Sequence, residues 1–304
     1  MKLHGIVPPL ITPLKDQDKL DHGGLERLLE HVLAGGVHGV FILGTTGEGP
    51  ALSYRLRREL IERVCRQARD RVPVLVGITD TSLVEAANLA QYAADCGASG
   101  VVASAPYYSS PSQEELANYI KRLASGVPLP LFLYNIPKVT KVVFEPATIK
   151  RVADLPRIVG IKDSSGDMKY FAELVKLKRL RPDWSIFVGL EHQLGEAVHA
   201  GGDGGVNAGA NYHPRIFVEL YEAAKNGDRI REKKLQAQLV LLGKIYRVGK
   251  SAVGVTQGLK CACARGGICG EFMAAPFSPY GPAERRKVTA ILEQLEEMCG
   301  WSLP

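Results

Sequence analysis

Short runs of apolar and β-branched residues alternate along the chain with segments whose apolar positions recur every three to four residues. Gly5–Pro8 reads as a first strand. Asp21 then caps a helix that sets Leu25, Leu28, Leu29, Val32 and Leu33 on one face, and Gly35-Gly36 ends it. Gly39–Leu43 is the second strand, Ser53 opens the next helix, and Val74–Gly77 is the third strand. Ser82-Leu83-Val84-Glu85 has the spacing of a capping box and leads a helix to Cys96, closed by Gly97. Gly100–Ala103 is the fourth strand, and a second capping box at Ser112–Glu115 opens a helix to about Ser125.

The alternation continues. Leu129–Tyr134 is the fifth strand, with Pro130 near its start, where a missing donor is tolerated. Pro146 stands in the first turn of a short helix to Ala153. Ile158–Ile161 is the sixth strand, followed by a helix over about Met168–Leu180. Ser185–Val188 is the seventh strand, His192–His199 a helix, Gly205–Asn207 the eighth strand and Pro214–Asn226 the eighth helix. Eight strand–helix alternations predict an α/β fold with one closed (β/α)8 TIM barrel over 1–225. A doubly wound open sheet competes but more often uses fewer strands. Three further helices, about Arg229–Val248, Ser251–Ala264 and Ala283–Met298, make a C-terminal extension over 226–304.

Composition changes this picture little. The 304 residues are 46% hydrophobic, enough to bury a large core, and the formal charge of +6 is spread along the chain. The densest basic cluster, Arg55-Leu56-Arg57-Arg58 with Arg63 and Arg66, has helical spacing and reads as a solvated helix face, not a nucleic-acid patch. No stretch approaches the roughly 18 apolar residues of a membrane span, and the first residues lack the apolar core of a signal peptide. Six cysteines (65, 96, 261, 263, 269, 299) lack paired C-x-x-C spacing, and no histidine lies within the 261–269 cluster. They read as reduced structural thiols of a cytoplasmic protein.

Candidate chemistry collects where barrel strands end. Lys162, in Gly160-Ile161-Lys162-Asp163-Ser164-Ser165-Gly166-Asp167, stands where the sixth strand should end and a loop begin. Desolvation favours a neutral amine, and a neutral amine can attack a carbonyl to form a Schiff base. The plain alternative is a strand-edge lysine whose tip reaches water. Gly44-Thr45-Thr46-Gly47 offers backbone N–H groups and two hydroxyls to a small carboxylate, or is an ordinary turn; it lacks the length and lysine of a phosphate loop. Tyr134 could donate and accept protons near an amine, or be a core residue with its hydroxyl satisfied. Tyr107-Tyr108 carries the same ambiguity. Gly189-Leu190-Glu191-His192 and Val206-Asn207 follow the seventh strand and occupy the eighth. Collected on one face of a barrel, these residues favour the functional reading.

Four motifs, G-T-T-G-E (44–48), Y-N-I-P (134–137), G-I-K-D-S-S-G-D (160–167) and G-G-V-N (204–207), occur in an order and spacing that resemble the dihydrodipicolinate synthase / N-acetylneuraminate lyase superfamily of pyruvate-dependent class I aldolases. The resemblance spans nearly the whole chain. It implies that Lys162 forms the imine with pyruvate or the 2-oxo acid, and that Tyr134 shuttles protons. Thr45 and Thr46 would hold the pyruvate carboxylate, and the backbone of Val206 would touch pyruvate. Tyr108 would cross a dimer interface and relay protons through Thr45 to Tyr134, within a homotetramer built from dimers. No metal or organic cofactor, no nucleic acid and no membrane is implied.

The branch of the superfamily is read from departures. Where the synthase branch carries an arginine that clamps the carboxylate of aspartate semialdehyde, this chain has Val139, which cannot make a bidentate contact. Gly189, Glu191, His192 and Asn207 are candidates to hydrogen-bond a hydroxylated tail. Glu191 could equally favour a helix N-terminus, with His192 merely beginning that helix. The expectation is a lyase joining pyruvate to a small aldehyde, with a 2-oxo-3-deoxy sugar acid or a related acid as its cleavage substrate. The alternatives are 4-hydroxy-tetrahydrodipicolinate synthase of lysine biosynthesis and a non-catalytic 2-oxo-acid-binding regulator.

Overall fold

A computed structural model describes residues 1–300 of the chain. In chain order the strands are β1 (Gly5–Ile6), β2 (Leu14–Asp16), β3 (Lys19–Leu20), β4 (Val40–Ile42), β5 (Val74–Gly77), β6 (Gly100–Ser104), β7 (Leu131–Asn135), β8 (Ile158–Asp163), β9 (Ser185–Val188) and β10 (Gly204–Gly205). All but β2 and β3 form one parallel sheet in the order β1-β10-β9-β8-β7-β6-β5-β4. A parallel bridge from Pro9 to Phe41 closes the ring, and Leu10 N–H donates to the Phe41 carbonyl at 2.8 Å. The predicted (β/α)8 barrel is therefore the fold.

The helices are α1 (His22–Ala34), α2 (Tyr54–Ala68), α3 (Leu83–Asp95), α4 (Gln113–Gly126), α5 (Pro137–Thr140), α6 (Pro146–Lys150), α7 (Met168–Lys176), α8 (Leu194–His199), α9 (Pro214–Lys225), α10 (Arg229–Leu242), α11 (Gly254–Arg265) and α12 (Pro282–Cys299). Their starts follow the caps. The side chains of Asp21, Ser53 and Ser112 accept N–H bonds from the first turns of α1, α2 and α4. Ser112 and Glu115 complete a capping box. At Ser82 only half the expected box forms, because the Asp80 carboxylate takes the Ser82 N–H at 3.0 Å.

Two predicted long helices break early. The segment after β8 ends its α-turns at Lys176 and continues as a 3-10 turn, and α10 gives way to a 3-10 turn over Gly243–Arg247. The arginine cluster is not uniformly solvated. Arg55 and Arg66 are exposed, but Arg57 is buried against Asp80 at 3.3 Å, and it also donates to the Leu52 and Pro50 carbonyls. Among the described residues no helix is long and apolar enough to cross a membrane.

Two packed layers follow from strand alternation. Val40, Ile42, Val101, Leu131, Leu133 and Ile161 face the helices, in a cluster that also takes in Leu239, Leu259 and Leu292 of the extension. Val7, Phe41, Leu75, Val102, Phe132 and Phe187 fill the barrel with Tyr134 and Val206. One irregularity decides the site. Leu131 pairs with Ile158 but Phe132 pairs with Gly160, so Val159 is an extra residue in β8. Val159 joins the inner cluster while Ile158 and Ile161 stay in the outer one. The bulge shifts the phase, so the next inward position is Lys162.

Candidate active site

Lys162 lies inside β8, one residue deeper than the sequence suggested, and is 6% exposed. It pairs in register with Tyr134 on β7. Its Nζ stands 4.2 Å from the Tyr134 ring centroid and 5.5 Å from that of Phe41. An amine and a phenol thus share the inside of the barrel with an aromatic floor. The next pair, Asn135 and Asp163, points the other way and is fully buried. Asn135 Nδ2 donates to Asp163 Oδ1 at 2.8 Å, and its Oδ1 accepts the Phe144 N–H at 3.1 Å. Ser165 adds an N–H and a hydroxyl to the same carboxylate. Burial pushes the Asp163 carboxyl up, against the pull of these donors. The Y-N and K-D dipeptides are therefore one device: its inner half carries the amine and phenol, and its outer half locks the two strands together.

The Gly44–Glu48 loop follows β4. Leu43 and Glu48, at its two ends, hold left-handed backbone with φ of 60° and 57°. Thr45 is exposed and Thr46 half-buried. Anchors come from far away in sequence. Thr12 Oγ1 donates to the Gly47 carbonyl at 2.7 Å and Thr256 Oγ1 to that of Thr46 at 3.3 Å. Glu48 is buried, pairs with Lys260 of α11 at 2.5 Å, and accepts the Ala274 N–H at 2.8 Å. Lys260 also donates to the Phe272 carbonyl. Burial lowers its proton affinity while Glu48 opposes that shift.

The remaining candidates divide. Val206 packs in the inner cluster beside Tyr134. Tyr108 is 89% exposed and makes no hydrogen bond to Thr45. Val139, 49% exposed, lies on α5. His192 is exposed and uses its carbonyl to accept from Gln236. Glu191 and Asn207 are buried and bound internally: Glu191 Oε1 accepts the Gly209 N–H at 2.5 Å, both its oxygens accept from Tyr246 at 3.1 Å, and Asn207 Nδ2 donates to the Gly189 carbonyl at 3.3 Å. Asn207 follows inward-facing Val206 and so projects outside the barrel, toward Gly205 and Leu194. Sequence reasoning overlooked Asn135, Asp163, Lys260 and Tyr246. The first two had a signal, since each directly follows an inward candidate on its strand. The last two had none, since their partners lie 212 and 55 residues away.

The profile of the dihydrodipicolinate synthetase family matches residues 2–295. The chain belongs to that family. The structure of dihydrodipicolinate synthase from Bacteroides thetaiotaomicron is 49% identical and superposes with a TM-score of 0.93 over 96% of this chain and 98% of that one. The probable 2-dehydro-3-deoxy-D-pentonate aldolase YjhH of Escherichia coli is 35% identical over 81% of this chain and 82% of its own length. YagE, a prophage protein of the same family from Escherichia coli solved in complex with pyruvate, is 29% identical with a TM-score of 0.91, covering 96% of this chain and 98% of that one. This member of the dihydrodipicolinate synthetase family is accordingly an enzyme, a lyase of the Schiff-base aldolase superfamily. Synthases and a sugar-acid aldolase both stand among its relatives.

Proposed function

We propose that this enzyme reversibly joins pyruvate to a small hydroxylated aldehyde, cleaving a 2-oxo-3-deoxy sugar acid in the reverse direction, with Lys162 as the imine-forming lysine. The observation that carries the reading is the 4.2 Å approach of Lys162 Nζ to the Tyr134 ring inside the barrel. The amine attacks the pyruvate carbonyl carbon, and water leaves as the carbon–nitrogen double bond forms. The protonated imine then draws electrons as a methyl proton departs, leaving an enamine. The enamine carbon adds to the aldehyde, whose oxygen takes a proton as its carbon–oxygen π bond opens. Tyr134, beside the amine, carries these protons. Water finally returns to the imine carbon, releases the product and restores the amine.

Thr45 and Thr46 supply hydroxyl and backbone donors to the keto-acid carboxylate. Tyr108, exposed at the barrel mouth, supports a site completed by a neighbouring copy within a homotetramer. The reaction calls on no metal or organic cofactor. Exposed, apolar Val139 favours an aldehyde that carries hydroxyls instead of a second carboxylate. Borohydride added with pyruvate should leave a reduced adduct on Lys162 by peptide mass spectrometry; an unmodified Lys162 at saturating pyruvate sinks the reading. Pyruvate release across a panel of 2-oxo-3-deoxy acids then names the aldehyde. The second reading, 4-hydroxy-tetrahydrodipicolinate synthase, is favoured by the 49% identity to the Bacteroides synthase. A coupled assay with aspartate semialdehyde decides it: no detectable rate alongside intact adduct formation rejects the synthase.

A further inference from the structure

Three of the residues that the sequence offered for substrate contact are engaged with one another's loops. The segment after β9 contributes Gly189 and Glu191, and the segment after β10 contributes Asn207 and Gly209. Asn207 Nδ2 reaches back to the Gly189 carbonyl, and Glu191 Oε1 reaches across to the Gly209 N–H. The tie is reciprocal. Tyr246, from the turn after α10, closes the carboxylate from the extension. Gly209 is held so tightly that a Cβ there would lie 2.7 Å from the Tyr246 hydroxyl.

We infer that Glu191 is a positioning residue: its carboxylate, gripped by Gly209 and Tyr246, holds the Val206–Gly209 strand end against β9 and so sets the wall beside Tyr134 and Lys162. The inference rests on the reading of Lys162 as the imine lysine. Its chemistry is one of donor counting. Gly209 N–H and the Tyr246 hydroxyl converge on Glu191, and the ionised carboxylate accepts from both, whereas a proton on one of its oxygens turns that oxygen into a donor and the Tyr246 hydroxyl must turn to accept. No cation pairs with it among the described residues. The charged and titratable groups on the surrounding elements are engaged elsewhere: Glu232 of α10 with His199 and Arg229, and the Cys263 thiol of α11 with the Asn211 carbonyl at 3.8 Å, while Tyr246 itself faces the carboxylate.

Burial raises the Glu191 carboxyl from 4.5 to about 7, so the proton that breaks the lock binds near neutrality. Trapping of pyruvate on Lys162 by borohydride should therefore slow about tenfold per pH unit on the acid side of about pH 7. The attacking amine gives every variant an acid limb of its own, so in Glu191→Gln only the part set by Glu191 should vanish: trapping is slower above about pH 7, and the wild-type-to-variant rate ratio falls as pH drops below about 7. In Tyr246→Phe, which removes one donor to the carboxylate, the limb should move to higher pH.

An unchanged acid limb in Glu191→Gln overturns the inference; should that variant fail to fold, an unmoved limb in Tyr246→Phe does so. The pH dependence of thermal stability gives an independent check. The folded protein holds a proton on Glu191 that the unfolded chain releases, so wild-type stability falls from about pH 4.5 to about pH 7 relative to Glu191→Gln or, should that not fold, Glu191→Ala. A difference that stays flat with pH also overturns it. Should wild type trap no pyruvate at any pH, the proposed function fails, and this slope still decides whether Glu191 titrates in the lock.

Discussion

Tyr134 and Lys162 need only two properties to work as a pair: both must face the inside of the barrel, and both must be fixed. The first comes from strand phase and the second from Asn135 and Asp163 on the outer side of the same two strands. Tyr134→Phe keeps the ring against Lys162 and removes the hydroxyl. It should lower kcat by roughly 10²–10⁴-fold while a borohydride-trapped pyruvate adduct still accumulates on Lys162. Equal loss of adduct and turnover would instead make the phenol a structural prop. Asp163→Asn should act through position. With its donors intact but the carboxylate gone, Ser165 loses its strongest acceptor, and KM should change less than kcat. At this scale the sequence was legible where plain strand alternation sets direction, as for Tyr134 and Val206, whereas the inward turn of Lys162 needed the bulge at Val159. It was illegible for Glu191 and Asn207, whose buried partners settle their direction.

A single extra residue in β8 converts a lysine that simple alternation would turn toward the helices into one that faces Tyr134. Gly160 makes the bulge possible, since a Cβ there would lie 2.1 Å from the Ser185 carbonyl of β9. Gly160→Ala must therefore push β8 and β9 apart. We expect a loss of about 2–3 kcal/mol in urea unfolding, together with loss of Lys162 trapping. A variant with native stability and full trapping would remove the bulge from the argument. The β-branched runs made strands legible and the cap residues made helix starts legible, because both are written in a few adjacent residues. The hairpin of β2 and β3, the four-residue α5 and the Val159 bulge were not. Each is fixed by a neighbour in space: β2 and β3 by each other, and the bulge by the pairing of β7.

Across the whole molecule, the barrel and the extension share one outer apolar cluster, and the Gly44–Glu48 loop takes its shape from both. The buried Glu48–Lys260 pair is the charged one among these links. Lys260→Met leaves Glu48 charged and unpaired, which should destabilise the protein by about 3–5 kcal/mol in denaturant unfolding. The double variant Glu48→Gln with Lys260→Met should recover most of that loss; no recovery would mean that packing, not charge, carries the effect. The extension's three helices were legible from periodicity, but its grip on the loop was not, because Thr256 and Lys260 look like ordinary helix positions. The ring, moreover, is closed by β1 against β10 on one side and by the Pro9–Phe41 bridge on the other. On a ribosome, then, a nascent chain cannot shut its barrel before residue 205 emerges, and its Gly44–Glu48 loop stays unanchored by α11 until Lys260 follows. Catalytic competence arrives only near the end of synthesis, so fragments released early by stalled translation would be inert.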